Sequence, residues 1–331
     1  MNIFEFLGLP LNHRAEGKVT QLVKHYDEVP VSAKGGKSLA GQVKKDGVCS
    51  LTVVLENGDT RIFSRTGKEF TNTRGILDYI DDLHLPSGVY MGELWTPKSI
   101  ASLEQVSGAT NPNRVNPLGE DAIHIPRNLS MAFFDRVSIE QFKMGKCADS
   151  YIHRHSALLK CYHCNTHLRT DPLATATEVL PFCPVANEEE IDSLLLENVS
   201  NGEEGIVIRV LDANWEAGHK GWRVMKKVRG VDYDLVCIGY EEGTGKYTGK
   251  VANLLFKWKN GETIKAMLGK GWTHNMAQEM FDDIKASANT FGPLYPIGCI
   301  FQVYALEESS KGKLRLVKVG ERRHDKTTPD V

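Results

Sequence analysis

Residues 41–48 read Gly-Gln-Val-Lys-Lys-Asp-Gly-Val, so that Lys44, Asp46 and Gly47 form the string K-x-D-G. The stretch reads as a strand running into a turn. It leads directly into SLTVVLENGDTRIFS (50–64), whose apolar residues alternate on either side of Asn57-Gly58. Alternation around Asn-Gly is a hairpin signal, and the dipeptide favours a type I′ turn. Four residues alone say little, because Lys44-Lys45-Asp46-Gly47 also suits an ordinary charged turn. Its meaning depends on what stands around it.

Outward from this point, VYMGELW (89–95) reads as another strand and residues 98–128, rich in Asn, Pro and Gly, as a long surface excursion. On the N-terminal side, Val19, Leu22, Val23 and Tyr26 fall at i, i+3, i+4 and i+7, which predicts a helix over 17–28. Residues 187–202 predict a second helix, with Asn187 as cap, Glu190 at the capping-box position, Ile191, Leu194 and Leu195 facing the core, and Gly202 as the stop. The strand GIVIRV follows. From about 232 the texture changes to strands (LVCIGY, KVANLLFKWKNGETIKAML, CIFQVYAL), a second Asn-Gly turn at 260–261 and one helix around 274–287. Such a set suits a small OB-fold barrel. The domain boundary therefore falls near 231: residues 1–231 form one domain and 232–331 the barrel.

The bulk numbers agree with two globular domains. The chain has 331 residues, 40 Lys+Arg against 42 Asp+Glu, 41% hydrophobic and 25% charged residues. Disordered, collagenous and coiled-coil chains are excluded, as is a histone-like polycation. Nucleic-acid binding stays open, because it depends on how charge is distributed. The seven cysteines (49, 147, 161, 164, 183, 237, 299) form no regular framework and read as thiols in a reducing compartment. Cys161-Tyr-His-Cys164 lacks the second ligand pair of a structural zinc site. The N-terminus has no basic region ahead of its short apolar run, and no stretch nears the ~20 apolar residues of a membrane span. The expectation is a soluble, cytoplasmic protein, with no separate DNA-binding domain ahead of Lys44.

Lys44-x-Asp46-Gly47 has company in a definite order. Ser64-Arg65-Thr66-Gly67 comes first, then Gly92-Glu93-Leu94, Phe134-Asp135 and Glu204-Gly205-Ile206-Val207-Ile208-Arg209. A basic cluster follows around Trp222, Lys226 and Lys227, and Arg323-His324-Asp325-Lys326 stands near the end. From about residue 40 to 326 this order resembles the covalent nucleotidyltransferase superfamily, and within it the ATP-dependent DNA ligases of compact, phage-type build. GYEEGTGKYTGK (239–250) and MLGKGWTHN (267–275) resemble the OB domain of that family. The resemblance implies an α+β fold, with an ATP-grasp-like nucleotidyltransferase domain of antiparallel sheets and helices followed by the OB-fold barrel.

It also implies roles. Lys44 would attack the α-phosphorus of ATP and carry AMP. A free lysine titrates near ~10.4, so the neutral form is scarce at neutral pH, and Lys45, Lys226, Lys227 and Mg²⁺ (or Mn²⁺) are the cations expected to lower that value. Glu93 would contact ribose, and Glu204, with Glu93, would serve the metal. Phe134 would stack on adenine. Glu204 would point into the cleft with Ile206 and Ile208, one of which would pack against the base. Arg65 would bind phosphate of AMP or of the nick, and Lys226 and Lys227 would neutralise the α-phosphate. Arg323 and Lys326 would close over the triphosphate, with Asp325 beside them. Residues 215–231 would adjoin a hinge.

Three positions depart from the family pattern. Cys49 stands where an arginine is usual. Gln42 replaces a glutamate that accepts from the adenine amino group, though its amide oxygen can still accept. The basic K-x-K motif reads as Val224-Met225-Lys226 in one register and Lys227-Val228-Arg229 in another. The implied partners are ATP and nicked double-stranded DNA, bound by a monomer through backbone phosphates. Between 219 and 259, nine Lys/Arg stand against four acids, and Arg65, Arg229, Lys246 and Lys250 are candidate DNA contacts. An RNA ligase, a GTP-using capping guanylyltransferase and a catalytically silent nick-binding protein are the alternatives.

Overall fold

Val48–Val54 and Thr60–Ser64 pair antiparallel, and Val48–Val54 pairs on its other side with Gly88–Trp95. The connection is not the expected type I′ turn, which needs positive φ at both Asn57 and Gly58. Leu55 N–H donates to Asp59 O and Gly58 N–H to Leu55 O, and only Gly58 has positive φ. This is a three-residue loop, a turn over 55–58 closed by a left-handed glycine. Ser130–Val137 and Thr177–Val179 complete a five-stranded sheet. One face packs on helices Arg74–Asp82, Leu103–Ala109 and Tyr151–His163 through Ile76, Ile80, Val106 and Leu158. The other face packs Leu51, Val53, Phe63 and Val89 against Phe4, Phe142 and Trp215.

These coordinates are a computed structural model that describes residues 1–171, 175–269, 271–286, 292–305, 308, 312–314 and 317–331. Lys270, and residues 287 and 306 at which the expected second-domain helix and last strand end, lie outside them.

A second five-stranded sheet has the order Leu22–His25, Lys220–Val228, Gly205–Val210, Leu39–Lys44, Phe182–Val185. Both sheets are mostly antiparallel, with one parallel edge pairing each. Helix Glu188–Ser200 covers the back of this second sheet. Asn187 accepts from Glu190 N–H as expected, while the Glu190 carboxylate accepts from Ala186 N–H instead of closing the box on Asn187. Ile191 and, less deeply, Leu194 and Leu195 pack on Ile206, Ile208 and Met225.

Two expectations fail here for a physical reason. Residues 17–28 are not a helix: Glu16–Lys18 and Tyr26–Glu28 are 3₁₀ turns flanking the edge strand Leu22–His25. The residues that suggested one helical face serve different cores, Val19 packing with Phe4 and Trp215 and Tyr26 with Ile191 and Ile208. Residues 98–128 are not simply a surface excursion either. Ser102 caps helix Leu103–Ala109, and Val106, Ala109 and Ile125 are core residues.

The chain divides into two compact units, Met1–Val228 and Arg229–Val331. In the second, strands Val231–Glu242, Val251–Lys257, Thr263–Leu268, Lys318–Arg322 and Ile300–Ala305 close a barrel. Leu254, Phe256, Phe301 and Val303 fill it, and helix His274–Lys285, capped by Thr273, packs there through Met280. The turn at 260–261 is part of a 3₁₀ turn, Lys259–Gly261, with only Gly261 assigned positive φ. The fold is thus α+β with a small closed five-stranded barrel, as the sequence suggested.

Candidate active site

Within the first unit the two sheets face each other across a cleft of about 650 Å³. Lys44 ends its strand at the mouth of this cleft, opposite Gly205 of the neighbouring strand. Gly47 is a glycine for a local reason. A Cβ there would stand 2.6 Å from Leu94 O, so only a bare backbone lets the chain turn from one sheet into the next.

Lys44 donates to the Glu204 carboxylate in an ion pair, and both side chains are largely buried. Burial by itself would lower the lysine pKa. The charge of Glu204, then that of Glu93, outweighs burial and holds Lys44 above its ordinary value. This reverses the expectation that cations lower it. Lys45 is engaged by Glu203 at 2.7 Å, and Lys227 by Glu188 and Asp192, so neither is a free positive charge beside Lys44. Of the three lysines expected to lower the Lys44 value, Lys226 lines the cleft with no ion pair among the described residues. Its own pKa is lowered, by burial first and by the charge of Lys44 second.

Strand parity sends the residues of the basic motif to opposite faces of the sheet. Val224 and Lys226 line the cleft, while Met225 is buried against the covering helix and Lys227 reaches that helix's acids. Parity also corrects the expectation for Ile206 and Ile208. They belong to the helix-facing core, and Val207 and Arg209 line the cleft instead. Strict alternation would put Glu204 on their face. It lies ahead of the strand, separated by Gly205 at φ +151°, so alternation does not carry across.

Glu93, on Gly88–Trp95, faces the cleft beside Cys49, its cross-strand partner. Among the described residues its carboxylate has no hydrogen bond or ion pair, and burial pushes it up to about 7 against the pull of Lys44. Cys49 lines the cleft as a thiol that burial, reinforced by Glu93, pushes up to about 12. It carries no positive charge to replace the usual arginine. Phe134 is the extra residue of a β-bulge: Met91 pairs with Asp135 and Gly92 with Phe133, leaving Phe134 unpaired and turned into the cleft. Below it, Arg154 holds both oxygens of buried Asp135 at 2.9 Å. Arg65, exposed after Thr60–Ser64, lines the rim.

Gln42 is buried, but its amide oxygen is not vacant as expected. It accepts from Arg209 Nε at 3.0 Å, and the amide nitrogen donates to Leu180 O at 2.8 Å. Arg209 and the segment 111–113 are cleft residues that sequence reasoning missed. The parity of GIVIRV, once its apolar face is assigned to a core, is the signal that would have found Arg209.

Other candidates lie in the second unit. Arg323 and Lys326 converge on buried Asp234, and Arg323 also donates to Asp325 at 2.7 Å. Arg229 is exposed ahead of Val231–Glu242, and Lys246 and Lys250 share the loop after that strand. The cysteines are free, and among the described residues no group of three His, Cys, Asp or Glu could hold a metal. No described helix is long and apolar enough to cross a membrane.

Comparison with known proteins bears on the whole arrangement. The family model for the ATP dependent DNA ligase domain matches residues 19–228. A probable DNA ligase of Streptomyces griseus is 28% identical over 269 residues, 73% of this chain and 47% of that protein. The chain thus spans about half the length of the curated relatives it matches. A solved chain named Pmar-Lig_Pre superposes with a TM-score of 0.74 at 20% identity, covering 93% of this chain and 68% of that one. The ATP-dependent DNA ligase of bacteriophage T7, solved with ATP, gives 0.52 at 15% identity, covering 95% and 100%. The family match covers more than half of the residues, and on it this chain belongs to the ATP-dependent DNA ligase family.

Proposed function

We propose that this chain seals nicks in duplex DNA with ATP. The observation that carries the reading is Lys44 at a strand end, paired with Glu204 and under the charge of Glu93, facing a cleft that Lys226 and Phe134 also line. Lys44 Nζ attacks the α-phosphorus, a P–N bond forms, and the bond to pyrophosphate breaks. AMP then passes to the 5′-phosphate of the nick. The neighbouring 3′-hydroxyl attacks that phosphate and expels AMP.

Each residue has a task in this scheme. Lys44 must lose its proton and its contact with Glu204 before it can attack. Lys226 and Arg65 offset charge on the phosphates, since phosphoryl transfer is mainly positioning and charge neutralisation. Phe134 stacks on the base and Glu93 meets the ribose. The orphaned carboxyl of Glu93 and the displaceable carboxylate of Glu204 suit a divalent cation, because Mg²⁺ is commonly held by one or two carboxylates together with substrate phosphates. Such a cation supplies charge neutralisation at the α-phosphate. Arg323 and Lys326 serve the pyrophosphate, and Arg229, Lys246 and Lys250 bind DNA backbone. In this reading the protein acts as a monomer in the cytoplasm, with residues 1–231 as the nucleotidyltransferase domain and 232–331 as the OB domain.

The test is sealing itself. With ATP and Mg²⁺, a 5′-labelled nicked duplex should be converted to a continuous strand, with an AMP-capped 5′ end visible at early times. Enzyme that takes AMP from ATP but never passes it to nicked DNA would refute the DNA substrate.

A further inference from the structure

Arg209 is only 4% exposed, yet among the described residues it forms no ion pair. Arg154, equally buried at 4%, shows the usual solution, with Asp135 holding it through both oxygens. None of the Arg209 nitrogens is both buried and without a partner, so the outer ones open onto the cleft and are placed to donate to whatever fills it. The Arg209 guanidinium lies 4.7 Å from the ring centroids of both Phe134 and Tyr151, which leaves its edge as the reactive part. Its Nε is spent on Gln42 Oε1, and among the described residues Nη1 and Nη2 have no hydrogen bond. The residue lines the cleft.

Its level in the cleft says what it can reach. Lys44 stands opposite Gly205, Gln42 opposite Val207, and Arg209 opposite Ala40. At ~3.3 Å per strand residue, Arg209 lies roughly 13 Å along the sheet from the level of Lys44. A nucleotide whose α-phosphorus meets Lys44 brings its base, not its phosphates, toward Arg209. A guanidinium can only donate. The matching groups on adenine are its ring-nitrogen acceptors N1 and N7. Gln42, at the position where the family reads the amino group with a carboxylate, has turned its oxygen to Arg209 and its nitrogen to Leu180.

We infer that Arg209 reads the nucleobase in this cleft, donating from its outer nitrogens to N1 or N7, and that Gln42 is its positioning residue. The inference rests on the nucleotidyl-transfer reading, and its test uses binding alone, so that the two can fail separately. ATP, 1-deaza-ATP and 7-deaza-ATP are titrated calorimetrically into the full chain with chelator present, so that no transfer occurs. For the wild type, one of the deaza analogues should bind about 10- to 100-fold more weakly than ATP, the span of a hydrogen bond to a charged donor. For Arg209→Met that same analogue and ATP should bind alike, and Gln42→Ala should shrink the ratio part-way. The ratio compares ligands on one protein, so partial unfolding of a variant does not alter it.

Equal penalties in wild type and Arg209→Met would overturn the inference, as would a wild type that does not distinguish either analogue from ATP or binds none of them. If the ratio collapses as expected while no AMP is ever transferred, the base reading stands and the ligase reading falls.

Discussion

Lys226 and Lys227 are neighbours in sequence with opposite surroundings, and the difference is testable. Lys226 faces the cleft without a carboxylate partner among the described residues, whereas Lys227 bridges Glu188 and Asp192. Lys226→Ala should slow transfer of AMP to the protein about 100- to 1000-fold, the usual cost of removing one charge-stabilising donor. Lys227→Ala should leave that rate within about two-fold and cost roughly 0–1 kcal/mol of stability. Single-turnover labelling with α-labelled ATP and thermal unfolding read the two effects. Glu93 gives a second residue-scale prediction. Its carboxyl is held up to about 7 in the folded chain. The folded state therefore keeps a proton that the unfolded state releases near ~4.5, and stability falls as pH rises from there to about 7. Glu93→Gln removes this dependence. Relative to wild type, the variant should gain on the order of 2 kcal/mol between pH 5 and pH 8, measured by denaturant unfolding. At this scale the sequence was only partly legible. Lys44, Glu93, Phe134 and Glu204 follow from their motifs, but the ion pair that raises Lys44 joins residues 160 positions apart and no local pattern reports it.

The strand Gly205–Val210 shows what elements add and where pattern reading stops. GIVIRV is apolar at 206, 207 and 208, so its sequence does not say which face meets the helix. Packing decides: Ile206 and Ile208 go to the core under Glu188–Ser200, and Val207 and Arg209 go to the cleft. The edge strand Leu22–His25 was hidden for a related reason, its helical periodicity arising from residues that serve two separate cores. The bulge at Phe134 is invisible to any two-residue repeat. The long helix at 188–200 and the hairpin at 48–64 were legible because their signals, a cap and an alternation, are local. Gly205 ties strand to site. Its φ of +151° frees Glu204 from strand parity, and an added Cβ would meet Lys227 O at 2.4 Å. Gly205→Ala should destabilise the chain by about 2–4 kcal/mol and turn Glu204 away from Lys44, seen as a lowered melting temperature and a loss of AMP transfer beyond what unfolding explains.

For the whole molecule, a formal net charge of −2 conceals unlike parts. Acids gather on the helix behind the cleft, while the candidate DNA contacts Arg229, Lys246 and Lys250 stand in the second unit. Binding to nicked duplex should weaken steeply with salt, and Lys246→Ala and Lys250→Ala should each lower the slope of log K against log salt by about 1 while weakening all sequences alike. The units divide between Val228 and Arg229, and the texture of the sequence changes near 231, because a barrel of short alternating strands reads differently from mixed sheets and helices. Every proposed step depends on Lys44 as the residue that carries AMP. The most direct measurement is to incubate the full chain with α-labelled ATP and Mg²⁺, digest it, and locate the label by mass spectrometry. The expected result is AMP on Lys44 and none on a Lys44→Ala chain. Label on any other residue, or the same label on Lys44→Ala, would contradict it.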